Sequence, residues 1–181
     1  MCLILFSYQV HPRWPLVIAA NRDEFHQRPT AAAHFWPAAP QLLAGRDLQA
    51  GGTWMGITRQ GRFAAVTNYR DPAQQADYPH SRGALPSDFL TGNLSAEDYL
   101  VTIDRQHDQF AGFNLLLGSV ANLFFYSNQQ RSIMRLPPGI YGLSNGRLDE
   151  AWPKVIDGKK QLATIIEAGC HTDQVIRLLN E

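Results

Sequence analysis

The chain has 181 residues, 45% hydrophobic and 18% charged, with 16 Lys+Arg against 16 Asp+Glu. That length suffices for one domain with a sizeable core, and the composition is ordinary for a folded protein. Formal neutrality, with no basic run or RNA-binding aromatic motif, excludes general nucleic-acid binding, and no apolar run nears the roughly 20 residues of a membrane helix.

Residues 2–9 read as a first strand. Its apolar start, Leu3-Ile4-Leu5-Phe6, follows no basic residue and soon meets Ser7, Tyr8 and Gln9, so it is not a secretory signal. His11-Pro12-Arg13-Trp14-Pro15 breaks the strand. The continuous apolar run Leu16–Ala20 suits a central strand covered on both faces, and the polar run Asn21-Arg22-Asp23-Glu24 begins where it ends. Residues 26–50, rich in Pro and Ala, read as a long loop. A hairpin follows: 53–58 and 62–68 flank Arg59-Gln60-Gly61, with the glycine placed for positive φ. In Gly51-Gly52 the expectation is a tight turn or a close backbone approach.

Tyr69–His80 is a second polar loop. Ser81 can cap a helix kept short by Pro86, and Ser95-Ala96-Glu97-Asp98 reads as a capping box for a helix near 96–106. Strands return at Phe113–Gly118, Leu123–Ser127 and Ile133–Leu136, and Ile140–Asn145 is a further short strand or a loop. Trp152–Ala168 is a helix weakened by Gly158. Thr172 can cap a last helix that buries Val175, Ile176 and Leu179. With no repeat or linker, 1–181 reads as a single α+β domain, its helices packed on antiparallel sheets.

Two cysteines far apart, Cys2 and Cys170, make no disulfide framework, and a cytoplasmic protein is the expectation. Cys2 is the first candidate for chemistry. Initiator Met is usually removed before a small second residue, which leaves a thiol and an α-amine on one residue. The amine, which ordinarily titrates at about pH 7.7–8.0, is a base near neutral pH, and nearby positive charge favours the thiolate. One residue then supplies nucleophile and base. The alternative is a small core residue at the start of a strand. Beside it, strand alternation sends Arg22 and Glu24 to one face and Asn21 and Asp23 to the other. A guanidinium near Cys2 would favour thiolate, and a carboxylate could hold the α-ammonium. The alternative here is a solvated strand end with an exposed ion pair. Six scattered histidines show no metal-ligand spacing, and Gly51-Gly52-Thr53-Trp54-Met55-Gly56 lacks the lysine of a phosphate loop.

Several motifs in order carry a resemblance. They are Met1-Cys2, Asn21-Arg22-Asp23-Glu24-Phe25, Arg28-Pro29, Ala44-Gly45-Arg46-Asp47, Gly51–Gly56 and Gly61–Asn68. Ser81-Arg82-Gly83, Phe113-Asn114-Leu115, Tyr141-Gly142-Leu143-Ser144-Asn145 and Trp152-Pro153-Lys154-Val155 continue the series. The sequence resembles the NRDE-domain family, also called the transport and Golgi organisation family, a branch similar to the N-terminal nucleophile hydrolases. The resemblance implies an α-β-β-α sandwich. It implies Cys2 as nucleophile, Arg22 and Asp23 beside it, Asn68 as oxyanion donor and Asn145 as the residue that positions amine or substrate. Read from sequence alone, Asn68 and Asn145 also fit turn-forming residues at strand ends.

The activity implied is hydrolysis of a non-peptide amide bond in a small molecule, with no metal or organic cofactor. The alternative is a non-enzymatic carrier of a hydrophobic ligand such as haem or an acyl-lipid. Longer members of the family continue into further strands. The expectation is therefore either a C-terminally truncated form or an incomplete second sheet, and a truncated form would leave an exposed sheet edge that invites a homodimer.

Overall fold

A computed structural model describes residues 2–25, 27–70 and 78–179. The described chain divides into two units, residues 1–23 with 136–181 and residues 24–135. All named strand pairs are antiparallel.

The first unit is built on a three-stranded sheet. Strand β1, Leu3–Tyr8, lies between β2, Leu16–Asn21, and β10, Gly139–Leu143. The continuous apolar run that suits a central strand is therefore β1, whose Ile4, Leu5 and Phe6 are fully buried. The expectation that β2 is central is corrected. Its small residues Ala19 and Ala20 offer little apolar area, and among the described strands it pairs on one side only. Helix α3, Pro153–Glu167, packs on β1 and β10. Leu5, Ala19, Leu162 and Ile166 form the core between helix and sheet. Gly158 is what lets the helix approach, because a Cβ there would meet the Leu5 side chain, and a Cβ on Gly142 would meet Val155 Cγ1 at 2.6 Å. The glycine expected to weaken α3 thus serves its packing.

Helix α4, Thr172–Arg177, ends the described chain and departs from expectation. Its N-cap is His171 rather than Thr172, Ile176 is exposed, Val175 and Leu179 are half-buried, and Leu178 is the residue that enters the core.

The second unit holds a seven-stranded meander, β3 to β9 in chain order. The run read as a loop over 26–50 is mostly a hairpin, β3 Thr30–Trp36 and β4 Ala39–Asp47 (His26 lies outside the described residues). Alanine-rich strands carry little local β signal. Tertiary bonds assemble this one: Trp36 Nε1 donates to Ala44 O at 3.2 Å, the Arg46 guanidinium lies over Trp36, and Arg28 pairs with Asp47 at 2.7 Å. The expected hairpin is present as β5, Met55–Thr58, and β6, Phe63–Asn68, with Gly61 at φ +79°. β6 is the fourth of seven strands, the central position expected. It pairs directly with β7, Phe113–Gly118, which continues into β8, Leu123–Ser127, and β9, Ser132–Arg135.

Between β6 and β7 the chain forms α1, Ala84–Thr91, and α2, Ala96–Arg105, which pack on the sheet. Ser95 caps α2 as expected, its Oγ accepting from Asp98 N at 3.1 Å. Ser81 does not cap α1: the cap is Gly83, and the Ser81 hydroxyl accepts from Gly83 N instead. Pro86 lies in the first turn of α1, where it interrupts no helical bond, so it does not set the helix length. Of the polar loop expected over 69–80, residues 71–77 lie outside the described residues.

Candidate functional site

Cys2 stands one residue before β1 and is 9% exposed. The neighbouring strands determine what surrounds it. Leu3 pairs with Asn21, the residue before Arg22, in the β1–β2 register. Ile4 pairs with Leu143, two residues before Asn145, in the β1–β10 register. The ends of β2 and β10 thus flank the start of β1, next to Cys2.

Side chains fix the Cys2–Leu3 peptide from both sides. The Ser144 hydroxyl donates to Cys2 O at 2.7 Å, and Lys154 Nζ, on the first turn of α3, donates to the same oxygen at 3.3 Å. Asn21 Oδ1 accepts from Leu3 N at 2.9 Å. Cys2 Sγ makes a long contact, 4.0 Å, to the backbone oxygen of Asp23. Arg22 is half-buried, Asp23 exposed and Asn145 buried. Burial pushes the Lys154 ammonium down from its ordinary range, and the Cys2 sulfur opposes this.

Ser144 and Lys154 fall inside the motif runs of the resemblance, yet nothing in the sequence marks them out. Their partner is a backbone oxygen, which has no side-chain signature. Asn21 was visible only as the first residue of the polar run.

The other candidate belongs to the second unit. Asn68 is the last residue of β6, opposite Phe113, and exposed. Its neighbour Thr67 is buried and accepts from Asn114 Nδ2 at 3.2 Å. Two motifs of this unit meet in a structural contact: Thr53 N donates to Gly83 O at 3.0 Å, and a Cβ on Gly52 would land on that same carbonyl. Gly51, at φ +81°, makes the turn. A cleft of about 420 Å³ is lined by residues including Arg62, Phe89, Ser95 and Arg135. Arg62 is engaged there by the Phe89 and Leu94 carbonyl oxygens, and the lining includes none of Cys2, Arg22, Asp23, Asn68 and Asn145. Among the described residues no group of three His, Cys, Asp or Glu could hold a metal ion, and no helix is long and apolar enough to cross a membrane.

Against known proteins, the family described as Transport and Golgi organisation 2 matches residues 1–181. The chain belongs to this family. Its relatives include the mouse Transport and Golgi organization 2 homolog, 36% identical over 180 residues, which cover 92% of this chain. The human Transport and Golgi organization protein 2 homolog is 35% identical over 181 residues, also 92% of this chain. The chain spans 65% of the length of each of these two relatives. Among solved structures it is similar in fold to the Caenorhabditis elegans N-acylethanolamine-hydrolyzing acid amidase ortholog. That similarity has a TM-score of 0.64 and 9% identity, and covers 99% of this chain and 86% of the amidase. The chain therefore shares the α+β fold of that amidase.

Proposed function

We propose that this chain is a cysteine amide hydrolase of the N-terminal nucleophile type, acting on a non-peptide amide bond in a small molecule. The observation that carries the reading is the placement of Cys2. It stands one residue before the central strand of its sheet, with its carbonyl held by Ser144 and Lys154. A nucleophile must be held rigidly to attack, and a residue pinned by its own carbonyl is so held. The fold is compatible, since the nematode neighbour is by its name an amide hydrolase.

In this reading Met1 is removed and the α-amine of Cys2 takes the thiol proton. The thiolate attacks the amide carbonyl carbon to give a tetrahedral oxyanion. Asn68 donates to that oxyanion, a role that rests on the resemblance alone. Collapse expels the amine, which takes the proton from the Cys2 ammonium and leaves a thioester. Water, giving a proton to the α-amine of Cys2, then attacks the thioester, and collapse releases the acid and the Cys2 thiolate, which takes that proton back. Arg22 favours the thiolate, Asp23 holds the ammonium, and Asn145 positions amine or substrate. No metal or organic cofactor enters the reaction. Residues 1–181 act as one domain in a cytoplasmic protein, and a single cooperative urea transition is the check on the domain. A homodimer through the β2 edge belongs to the same proposal and is read by light scattering.

The test begins with intact mass, which should show Met1 absent. A panel of fluorogenic N-acyl amides of increasing chain length then supplies turnover. Cys2→Ala should abolish it with the fold intact, and Asn68→Ala should lower kcat roughly 10²–10³-fold. Unchanged turnover in Cys2→Ala would refute the hydrolase. A retained Met1 with an inert thiol would favour a carrier of a hydrophobic ligand such as haem or an acyl-lipid, in keeping with the transport in the family's name.

A further inference from the structure

Lys154 is out of place by ordinary helix rules. It occupies the first turn of α3, which contains no acidic residue, so its charge faces the positive pole of the helix macrodipole. Lysine usually sends its ammonium into water along an extended stem. Here the stem turns inward, Nζ lies 5.5 Å from the Trp152 ring centroid, and it donates to Cys2 O at 3.3 Å. Ser144 already gives that oxygen a shorter bond, at 2.7 Å. Satisfying the carbonyl therefore does not require a charged group. What an ammonium adds over a hydroxyl is its charge, placed beside the residue that carries the thiol. Carbonyl oxygen and Sγ belong to one residue, so covalent geometry puts Nζ within roughly 4–8 Å of the sulfur.

We propose that Lys154 is a positioning residue for Cys2, which clamps the Cys2 carbonyl and, through its charge, favours the thiolate on the same residue. The inference rests on the reading of Cys2 as nucleophile and adds a second cation to it. Charged groups come to Cys2 from two of the three neighbouring elements of its unit. Arg22 and Asp23 follow β2, and Lys154 comes from α3, whereas the segment after β10 brings the uncharged Ser144 and Asn145. Arg22 and Lys154 thus approach from different elements, and removing one leaves the other. An opposite charge at this range moves a titration by about one pH unit.

The experiment is the pH profile of Cys2 alkylation by iodoacetamide, in a Cys170→Ser background where Cys2 is the sole cysteine. Lys154→Met should raise the midpoint by about one unit, slowing labelling below the midpoint roughly tenfold. Lys154→Arg should keep the wild-type midpoint. A purely structural lysine would change the labelling rate by the same factor at every pH, and an unmoved midpoint in Lys154→Met overturns the proposal. Should that variant not fold, the wild-type protein answers reciprocally. Capping Cys2 with methyl methanethiosulfonate removes its negative charge, and the Lys154 titration, followed by NMR of the labelled ε-carbon, should fall by a similar amount. No change on capping refutes the coupling. Alkylation needs no substrate, so these results stand apart from the hydrolase test. Cys2-dependent turnover with no coupling would sink this inference alone, and coupling without turnover would sink the hydrolase alone.

Discussion

Two donors on one buried carbonyl make a sharp energetic prediction. Ser144→Ala removes the 2.7 Å bond to Cys2 O, but Lys154 still donates to that oxygen. The acceptor is not orphaned, so the cost is that of one ordinary hydrogen bond, about 1 kcal/mol. Lys154→Met alone should cost a similar amount, because Ser144 remains. The double variant differs in kind. With both donors gone, a carbonyl of a residue only 9% exposed loses both of these partners, and the desolvation penalty of about 1–3 kcal/mol is added. The double variant should therefore exceed the sum of the singles by about 1–2 kcal/mol.

Urea unfolding of the four proteins at pH 7 measures this. With a slope near 2 kcal/mol/M for a chain of this size, each single variant should lower the midpoint by about 0.5 M, and the double by about 1.5–2 M. Additivity within about 0.5 kcal/mol would show that the two bonds do not share one acceptor energetically. A loss above about 2 kcal/mol in Ser144→Ala alone would show that Lys154 does not stand in for it. Either result would refute the reasoning.

The remaining predictions concern the second unit. Gly52→Ala drives a Cβ into the Gly83 carbonyl and breaks the Thr53 N bond to it, which should cost about 2–4 kcal/mol in urea unfolding. Gly51→Ala, strained only by its φ of +81° with nothing within 4 Å, should cost about 1–2 kcal/mol, and the opposite order would contradict the close approach. Asp47 carries an acid-sensitive share of stability. Burial raises its pKa, but the Arg28 bond, the Ala50 and Gln49 amides and the Arg28 charge outweigh this and hold it below its ordinary 3.8. The depressed folded value means the contribution is complete above pH about 4 and is lost as pH falls through that lower value. Asp47→Asn should cost about 2 kcal/mol at pH 7 and flatten the acid limb of stability against pH, as measured by urea midpoints from pH 2 to 7. An acid limb as steep as the wild type's would count against it.

What the sequence discloses is what local physics determines. Continuous apolar runs, a positive-φ glycine between two alternating segments and a Ser-x-x-Asp cap announce β1, the β5–β6 hairpin and α2, and these elements stand where expected. The β3–β4 hairpin is silent because its alanines have no β preference. Its ion pair, indole bond and cation–π contact each join residues 8 to 19 positions apart, which no short window contains. Ser81 misleads for a related reason. Its hydroxyl does bond a backbone amide, but the one of Gly83, because the chain there is shaped by the contact with Gly52.

The site divides along the same line. Cys2 and Arg22 can be read as candidates because chemistry-bearing side chains beside strand ends are conspicuous, whereas Asn145 stands out only through the family motif that contains it. Antiparallel register, in which paired positions sum to a constant once a single pair is known, brings the ends of β2 and β10 beside the start of β1. Ser144 and Lys154 lie 142 and 152 positions from the carbonyl they hold. A backbone oxygen is the same at every residue, so no pattern of side chains can say which oxygen a hydroxyl or an ammonium will find. Packing decides it. Gly142 and Gly158 let α3 sit close on β1 and β10, and that closeness carries Lys154 to Cys2. The glycines that look like weaknesses in a strand and a helix are thus what brings the cation to the thiol's own residue.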